Sequence, residues 1–283
     1  MTDITTTRVG RFEILTIPDG YGRAPGTLFP AFDPDRAVAA AAQAGEDYDG
    51  KTVNVPIHGF VIRDGTEVTI VDAGAPDGYS PTTGAFMTNL AKAGVVPEEV
   101  TRLAMTHLHV DHVGQMVRPD GSKTFPNAEL VYGAGDWDHF FNEAVYEKTK
   151  PGGQARGSLD VSRRALAPYA DQKREIAGEV EFAPGMTMIP LPGHTPGHSG
   201  IRIDDAGESV LIWGDTIHAN AFQLAEPDWG VLFDVDPEAA IASRRRLFAE
   251  LAESGMPVLG PHVPQPGPWR VEKAPIGYRL IPA

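Results

Sequence analysis

The stretch Thr106-His107-Leu108-His109-Val110-Asp111-His112-Val113-Gly114 places three histidines and an aspartate within six residues, directly after the apolar run at 100–105 (VTRLAM). A single histidine at a strand end is more often structural than a ligand. Four such groups together differ, because imidazoles and carboxylates crowded into one place are costly to bury without partners. A shared cation removes that cost. Side chains alternate along an extended segment, so His107 and His109 point to one side, while a turn near Asp111 and His112 aims the second pair at a neighbouring point. One short segment can therefore feed two metal ions.

Each ion needs further ligands, and the second half of the chain repeats a strand-then-loop theme. Residues 186–191 (MTMIPL) precede Pro192-Gly193-His194, residues 209–213 (SVLIW) precede Gly214-Asp215, and residues 257–259 (PVL) precede Gly260-Pro261-His262. Every candidate sits just past a strand, where an α/β sheet exposes functional groups at a shared edge. The set comprises five imidazoles and two carboxylates, enough for two ions sharing Asp215. With no cysteine, disulfides and thiolate zinc sites are excluded. Zinc leads among the metals for such ligands, and iron, manganese and cobalt also accept them.

Around these motifs the pattern is α/β. Strands are expected at 11–17 (RFEILTI), at 52–63 (TVNVPIHGFVIR) and, after an Asp64-Gly65 turn, at 67–72 (EVTIVD), with another at 128–132 (AELVY). Helices are expected at 35–45, 86–93, 135–147, 158–169 and 237–253, the last with Ala240, Ile241, Leu247, Phe248 and Leu251 on one side. Residues 20–34 and 150–157 read as loops, the first a candidate dimer arm or pocket cover. No composition break divides the chain, so residues 1–283 form one domain, with an extension over about the first 50 residues.

Composition narrows the function. Apolar residues are 42% of the 283 and charged ones 22%, ordinary for a chain with a sizeable core. The net charge of -14 argues against nucleic acid and favours a small-molecule substrate. Residues 1–10 lack a basic segment followed by an apolar one, and no later run approaches the roughly 18 apolar residues of a membrane span. The expectation is a cytoplasmic protein without a membrane partner.

The cluster resembles the HxHxDH motif of the metallo-β-lactamase superfamily at His107, His109, Asp111 and His112, and His194, Asp215 and His262 match the later ligands in order. The resemblance spans about residues 50–265. It implies a four-layer αβ/βα sandwich with the metals at one edge. It assigns His107, His109 and His194 to one ion, Asp111, His112 and His262 to the other, and Asp215 to both. Val71-Asp72-Ala73-Gly74 is similar to the family's turn whose aspartate supports the metal loop, and also reads as a plain turn. His198 is expected to fix a loop by hydrogen bonding.

Within the superfamily, the missing cysteine and the presence of Asp215 disfavour true β-lactamases, and His109 stands where flavodiiron oxidoreductases carry glutamate. The acidic chain suits neither the glutathione-binding thioesterases nor the tRNA-binding nucleases. The nearest likeness is to the branch of methyl parathion hydrolase and related lactonases, carried by His262-Val263-Pro264-x-Pro266-Gly267, Phe125-Pro126-Asn127-Ala128 and Gly214-Asp215-Thr216-Ile217-His218. Where homoserine-lactone lactonases hold a carbonyl-polarising tyrosine, three residues after the bridging aspartate, this chain has His218. That residue reads either as its substitute or as a buried structural histidine.

The expected reaction is hydrolysis of a small lactone or carboxylic ester by a bridging hydroxide, with Asp111 or Asp215 passing the proton and His218 assisting. An organophosphate triester is the alternative substrate, and an iron-dependent oxidoreductase of the same fold is the alternative of another class. Trp137, Phe140, Phe141, Phe222, Trp229 and Trp269 are candidates for an apolar pocket wall, and family likeness suggests a homodimer.

Overall fold

The computed structural model describes residues 3–46, 48–264 and 267–283. Pro266 of the proline-rich segment and the first two residues lie outside that set. Two seven-stranded sheets form the interior. The first runs in sequence order: β1 (Thr5–Val9), β2 (Phe12–Pro25), β3 (Thr52–Arg63), β4 (Val68–Val71), β5 (Arg102–Ala104), β6 (Glu129–Gly133) and β7 (Lys173–Ile176). The second comprises β8 (Val180–Ala183), β9 (Met186–Pro190), β10 (Ser199–Asp205), β11 (Glu208–Ile212), β12 (Val258–Leu259), β13 (Trp269–Lys273) and β14 (Tyr278–Pro282), again neighbouring in chain order. Pairing is antiparallel from β1 to β4 and parallel from β4 to β7; in the second sheet only β11 and β12 are parallel.

Side-chain alternation explains why the central strands read as continuous apolar runs. Phe60 and Ile62 of β3, Val71 of β4, Ala104 of β5 and Val131 of β6 point between the sheets, against Ile201, Ile203, Val210, Ile212 and Leu259. Their neighbours Val61, Ile70, Leu103 and Leu130 point outward beneath helices α2 (Phe86–Lys92) and α6 (Gln154–Leu166). A strand covered on both faces needs apolar residues at every position. On the far side, Leu211, Trp213 and Val258 meet Leu247, Phe248 and Leu251 of α8 (Pro237–Ser254). The result is the expected four-layer sandwich of two sheets between helices.

Several boundaries differ from the sequence reading. Residues 20–25 are strand, because β2 stays paired with β3 as far as Pro25 opposite Thr52, past an irregularity between Pro18 and Gly20. The following segment leads into α1 (Pro34–Ala44), whose start is capped by the Asp33 side chain. Together they pack Phe29, Ala37, Ala40 and Ala41 against Phe222 and Trp229 of the same chain. The expected helix at 135–147 is broken into α4 (Asp136–Phe140) and α5 (Glu143–Lys148), because Asn142 accepts hydrogen bonds from the amides of Ala144 and Val145 and starts a new helix. The expected connection at 150–157 is helical from Gln154. On α8, the buried side includes Arg244, while Ile241 is only half-buried. Among the described residues no helix is long and apolar enough to cross a membrane.

The sandwich fixes the loop edge through close backbone approach. Gly193 has φ +130°, and a Cβ there would lie 2.0 Å from the backbone nitrogen of Ala240 at the start of α8. Gly255 ends that helix in the left-handed region at φ +69°, with open space around it. Gly193→Ala is therefore expected to cost about 3 kcal/mol through overpacking, against about 1 kcal/mol of backbone strain for Gly255→Ala. Urea unfolding of both variants checks this, and equal losses would contradict it.

Candidate metal centre

All seven predicted ligands meet at one edge of the sandwich. His107 and His109 follow β5, Asp111 and His112 lie in the one-turn helix α3 (Val110–Val113), and His194, Asp215 and His262 follow β9, β11 and β12. Asp72, after β4, holds the first loop from beneath. Its Oδ1 accepts the Thr106 amide at 2.9 Å, and its Oδ2 accepts the Thr106 hydroxyl at 2.8 Å and His112 Nδ1–H at 2.9 Å. Asp72 does this with φ 55°, a left-handed conformation that non-glycine residues adopt at a cost, here offset by three buried hydrogen bonds.

Asp215 lies at the middle. Its Oδ2 is 3.5 Å from His107 Nε2 and 3.3 Å from His194 Nε2, while its Oδ1 is 3.2 Å from His112 Nε2 and 3.3 Å from His262 Nε2. The two oxygens therefore face two different groups of imidazoles. Ligand atoms of His107, His109, His194 and Asp215 lie within 4.8 Å of one another, as do those of Asp111, His112 and His262. Burial alone pushes Asp215 up, but the surrounding imidazoles, His112 and His262 first, hold its carboxyl well below the usual range.

The residues fit a pair of cations. His112 Nε2, His262 Nε2 and Asp215 Oδ1 are buried, converge, and find no hydrogen-bond partner among the described residues. In the other group, His109 Nδ1 lies 2.8 Å from His107 Nε2 and 2.9 Å from His194 Nε2, three ring nitrogens directed at one point. Such groups are stranded without a cation and satisfied with one.

Other ring nitrogens are anchored by the fold. His262 Nδ1–H donates to the Pro56 carbonyl of β3 at 2.7 Å, and neighbouring His58 contacts the Val263 carbonyl at 3.2 Å. His198 fixes a loop, as expected. Its Nδ1–H donates to the Leu191 carbonyl at 2.7 Å and its Nε2 accepts the Asp215 amide at 2.8 Å. Burial lowers the His198 pKa to about 3, which keeps Nε2 free to accept.

Other supports had no signature in the sequence. Asp136, buried at the start of α4, accepts the amides of Leu108 and Gly197 and the Thr195 hydroxyl, joining the two loops that flank His107 and His194. Its pKa is raised to about 6, burial outweighing those hydrogen bonds. Arg244 donates from Nε to the carbonyl of Thr216, beside Asp215, and from Nη1 to that of Pro227. A lone acid or a single arginine on an amphipathic helix carries no spacing that would mark either residue.

His218 reaches the cluster as well. Its Nε2 is 3.0 Å from Asp215 Oδ2, its ring stacks at 5.3 Å on His262, and with Asp215 and His262 it forms a third group of potential ligands. Of the six aromatic candidates, only Phe140 contacts a cluster histidine, at 5.4 Å from His109. Phe222 and Trp229 pack under the amino-terminal arm, Trp137 stacks on Phe141, and Trp269 donates to the Pro264 carbonyl. Phe233 also lies beside the cluster, its ring 5.0 Å from His218 and 5.7 Å from His194 while remaining 44% exposed.

Comparisons with known proteins agree with this geometry. The sequence profile described as Metallo-beta-lactamase superfamily matches residues 54–262, a span containing every ligand candidate. An N-acyl homoserine lactonase, AiiA of Bacillus thuringiensis subsp. kurstaki, is 24% identical over 230 residues, covering 74% of this chain and 82% of its own. The solved structure of AbOPH, a hydrolase in the beta lactamase superfamily, is similar at TM-score 0.90 and 26% identity, covering 100% of this chain and 98% of the other. AidC, a dizinc quorum-quenching lactonase solved with a product, shares the fold at TM-score 0.88 and 21% identity, over 99% of this chain and 97% of its own. Ligand candidates, sandwich and sequence profile coincide, and the chain belongs to the metallo-β-lactamase superfamily as one of its metal-dependent hydrolases.

Proposed function

We propose that this protein hydrolyses a small lactone, with N-acyl homoserine lactones as the substrate class, at a site holding two zinc ions. The observation that carries the reading is the division of Asp215, one oxygen toward His107 and His194 and the other toward His112 and His262. His107, His109 and His194 would hold one ion, Asp111, His112 and His262 the other, and Asp215 would bridge them. Similarity to homoserine lactonases over most of both chains supports the substrate class.

When bound, two such cations supply a hydroxide at neutral pH and withdraw electrons from the carbonyl oxygen. The chain's residues do the rest. Asp111 has the more open carboxylate, 17% exposed against 3% for Asp215, and lies 3.6 Å from His262 Nε2. That position suits it to take a proton and return it to the leaving alcohol, while Asp215, held ionised by its imidazoles, keeps the geometry. Burial, ahead of its charged neighbours, lowers the His218 pKa to about 4, so its imidazole is neutral at pH 7 and can share an N–H with a developing oxyanion. Phe233, with exposed Leu232 and Val235 beside it, offers an apolar surface to an acyl chain.

The direct test is a panel of N-acyl homoserine lactones beside a nitrophenyl phosphotriester, using metal-quantified protein. Lactone turnover should dominate and disappear in Asp215→Ala; a dominant triester rate would overturn the substrate class. His218→Phe keeps an aromatic ring, somewhat larger than imidazole, and removes the N–H, so kcat should fall about 100- to 1,000-fold with zinc content unchanged. His218→Tyr, which restores a donor, should recover part of the loss. Removing the metals with a chelator should lower the melting temperature, and zinc at about 100-fold over its Kd should return about 2.7 kcal/mol of stability. A melting curve indifferent to chelator would count against a metal site.

A further inference from the structure

The loop between helix α7 (Asn220–Gln223) and α8 touches the site at a residue that neither the ligand set nor the proposed reaction includes. Asp234 has a fully buried carboxylate. Its Oδ1 accepts His194 Nδ1–H at 2.8 Å and its Oδ2 accepts the Val231 amide at 2.9 Å. The flanking backbone grips the same loop: the Val235 amide donates to the His194 carbonyl at 3.1 Å and the Asp236 amide to the Gly193 carbonyl at 2.8 Å. A carboxylate at Nδ1 places the imidazole proton there, leaving the Nε2 lone pair aimed at the point where His107 and His109 converge.

We propose that Asp234 is a positioning residue for His194, setting the affinity of the first metal as Asp72 at His112 bears on the second. Each half of the centre then has one histidine oriented by a buried carboxylate, Asp72 at His112 Nδ1 and Asp234 at His194 Nδ1, both near 2.9 Å or less. The loop has a second consequence. Phe233 packs on His194 and His218 from the residue next to Asp234, so one short segment both orients a ligand and forms the apolar wall. The assignment rests on the metal-ligand reading of His194 and is independent of which ester is cleaved.

Single-site proteins separate the two ions: His262→Ala leaves the first pocket and His109→Ala leaves the second. Zinc affinity is measured on each by chelator competition, with and without Asp234→Ala. Affinity should fall about 10- to 100-fold in the His262→Ala protein and by less than about threefold in the His109→Ala protein. Asp234→Asn, which keeps the volume and an acceptor oxygen, should lose less than Asp234→Ala. Equal losses in both backgrounds, or none in either, overturn the proposal. Should Asp234→Ala fail to fold, Asp234→Asn decides by the same comparison, a selective loss in the first pocket supporting the proposal and its absence overturning it. If neither parent binds zinc, the metal reading fails and the proposal with it, whatever the ester assays show.

Discussion

A single carboxylate surrounded by imidazoles is the constraint on which the rest of the molecule depends. Asp215 is almost completely buried and would be expelled or protonated in an apolar interior, yet its neighbours hold it ionised. Its orientation must be exact to within a fraction of an ångström for each oxygen to face its own group of histidines. Three devices supply that precision: the end of β11, the His198 ring that accepts the Asp215 amide, and the Arg244 guanidinium that holds the carbonyl of the next residue, Thr216. The two side chains act by fixing backbone, His198 at the Asp215 amide and Arg244 at the Thr216 carbonyl.

The two-sheet sandwich makes such fixing economical. Strand ends from both sheets reach the same edge, so loops far apart in sequence share buried hydrogen-bonded supports. Asp136 ties the 107–109 loop to the 194–198 loop, and β3 of the first sheet supplies the carbonyl of Pro56 that orients His262 beyond the second. Sheet interiors are close-packed and poorly deformable, so a ligand anchored this way inherits their rigidity. The price of anchoring is backbone in unusual conformations, seen at Asp72 and Gly193.

What could be read from the sequence followed from density and order. Three histidines and an aspartate in six residues leave few alternatives, and the strands before His107, His194, Asp215 and His262 are apolar enough to recognise. The strands missed, such as β7 (KREI), β13 (WRVEK) and β14 (YRLIP), lie toward sheet edges and carry charge on a solvated face, where pairing rather than composition decides the conformation. Two of the aromatic candidates pack elsewhere for a related reason. Phe222 and Trp229 sit near the Asp215 motif in sequence, but Phe29 and α1 of the amino-terminal arm cover them, a contact between segments far apart in the chain. Asp234 is invisible in sequence because a lone acid before a helix reads as a cap, a role that Asp236 in fact fills.

This division of labour bears on how substrate choice can change without loss of the metal centre. The proposed ligands are fixed by strand ends and buried carboxylates, whereas His218 and Phe233, the groups proposed to face substrate, both stand on the segment that connects β11 to α8. Exposed Leu232, Phe233 and Val235 make few demands on the core, so their side chains can vary at little cost to stability. Asp234 and the backbone bonds to Gly193 and His194 limit that freedom to side chains, because a shift of the loop itself would carry His194 with it. On the proposed roles, specificity in this chain is open to substitution but closed to rearrangement, and the carboxylate at 234 is the point where the two conditions meet.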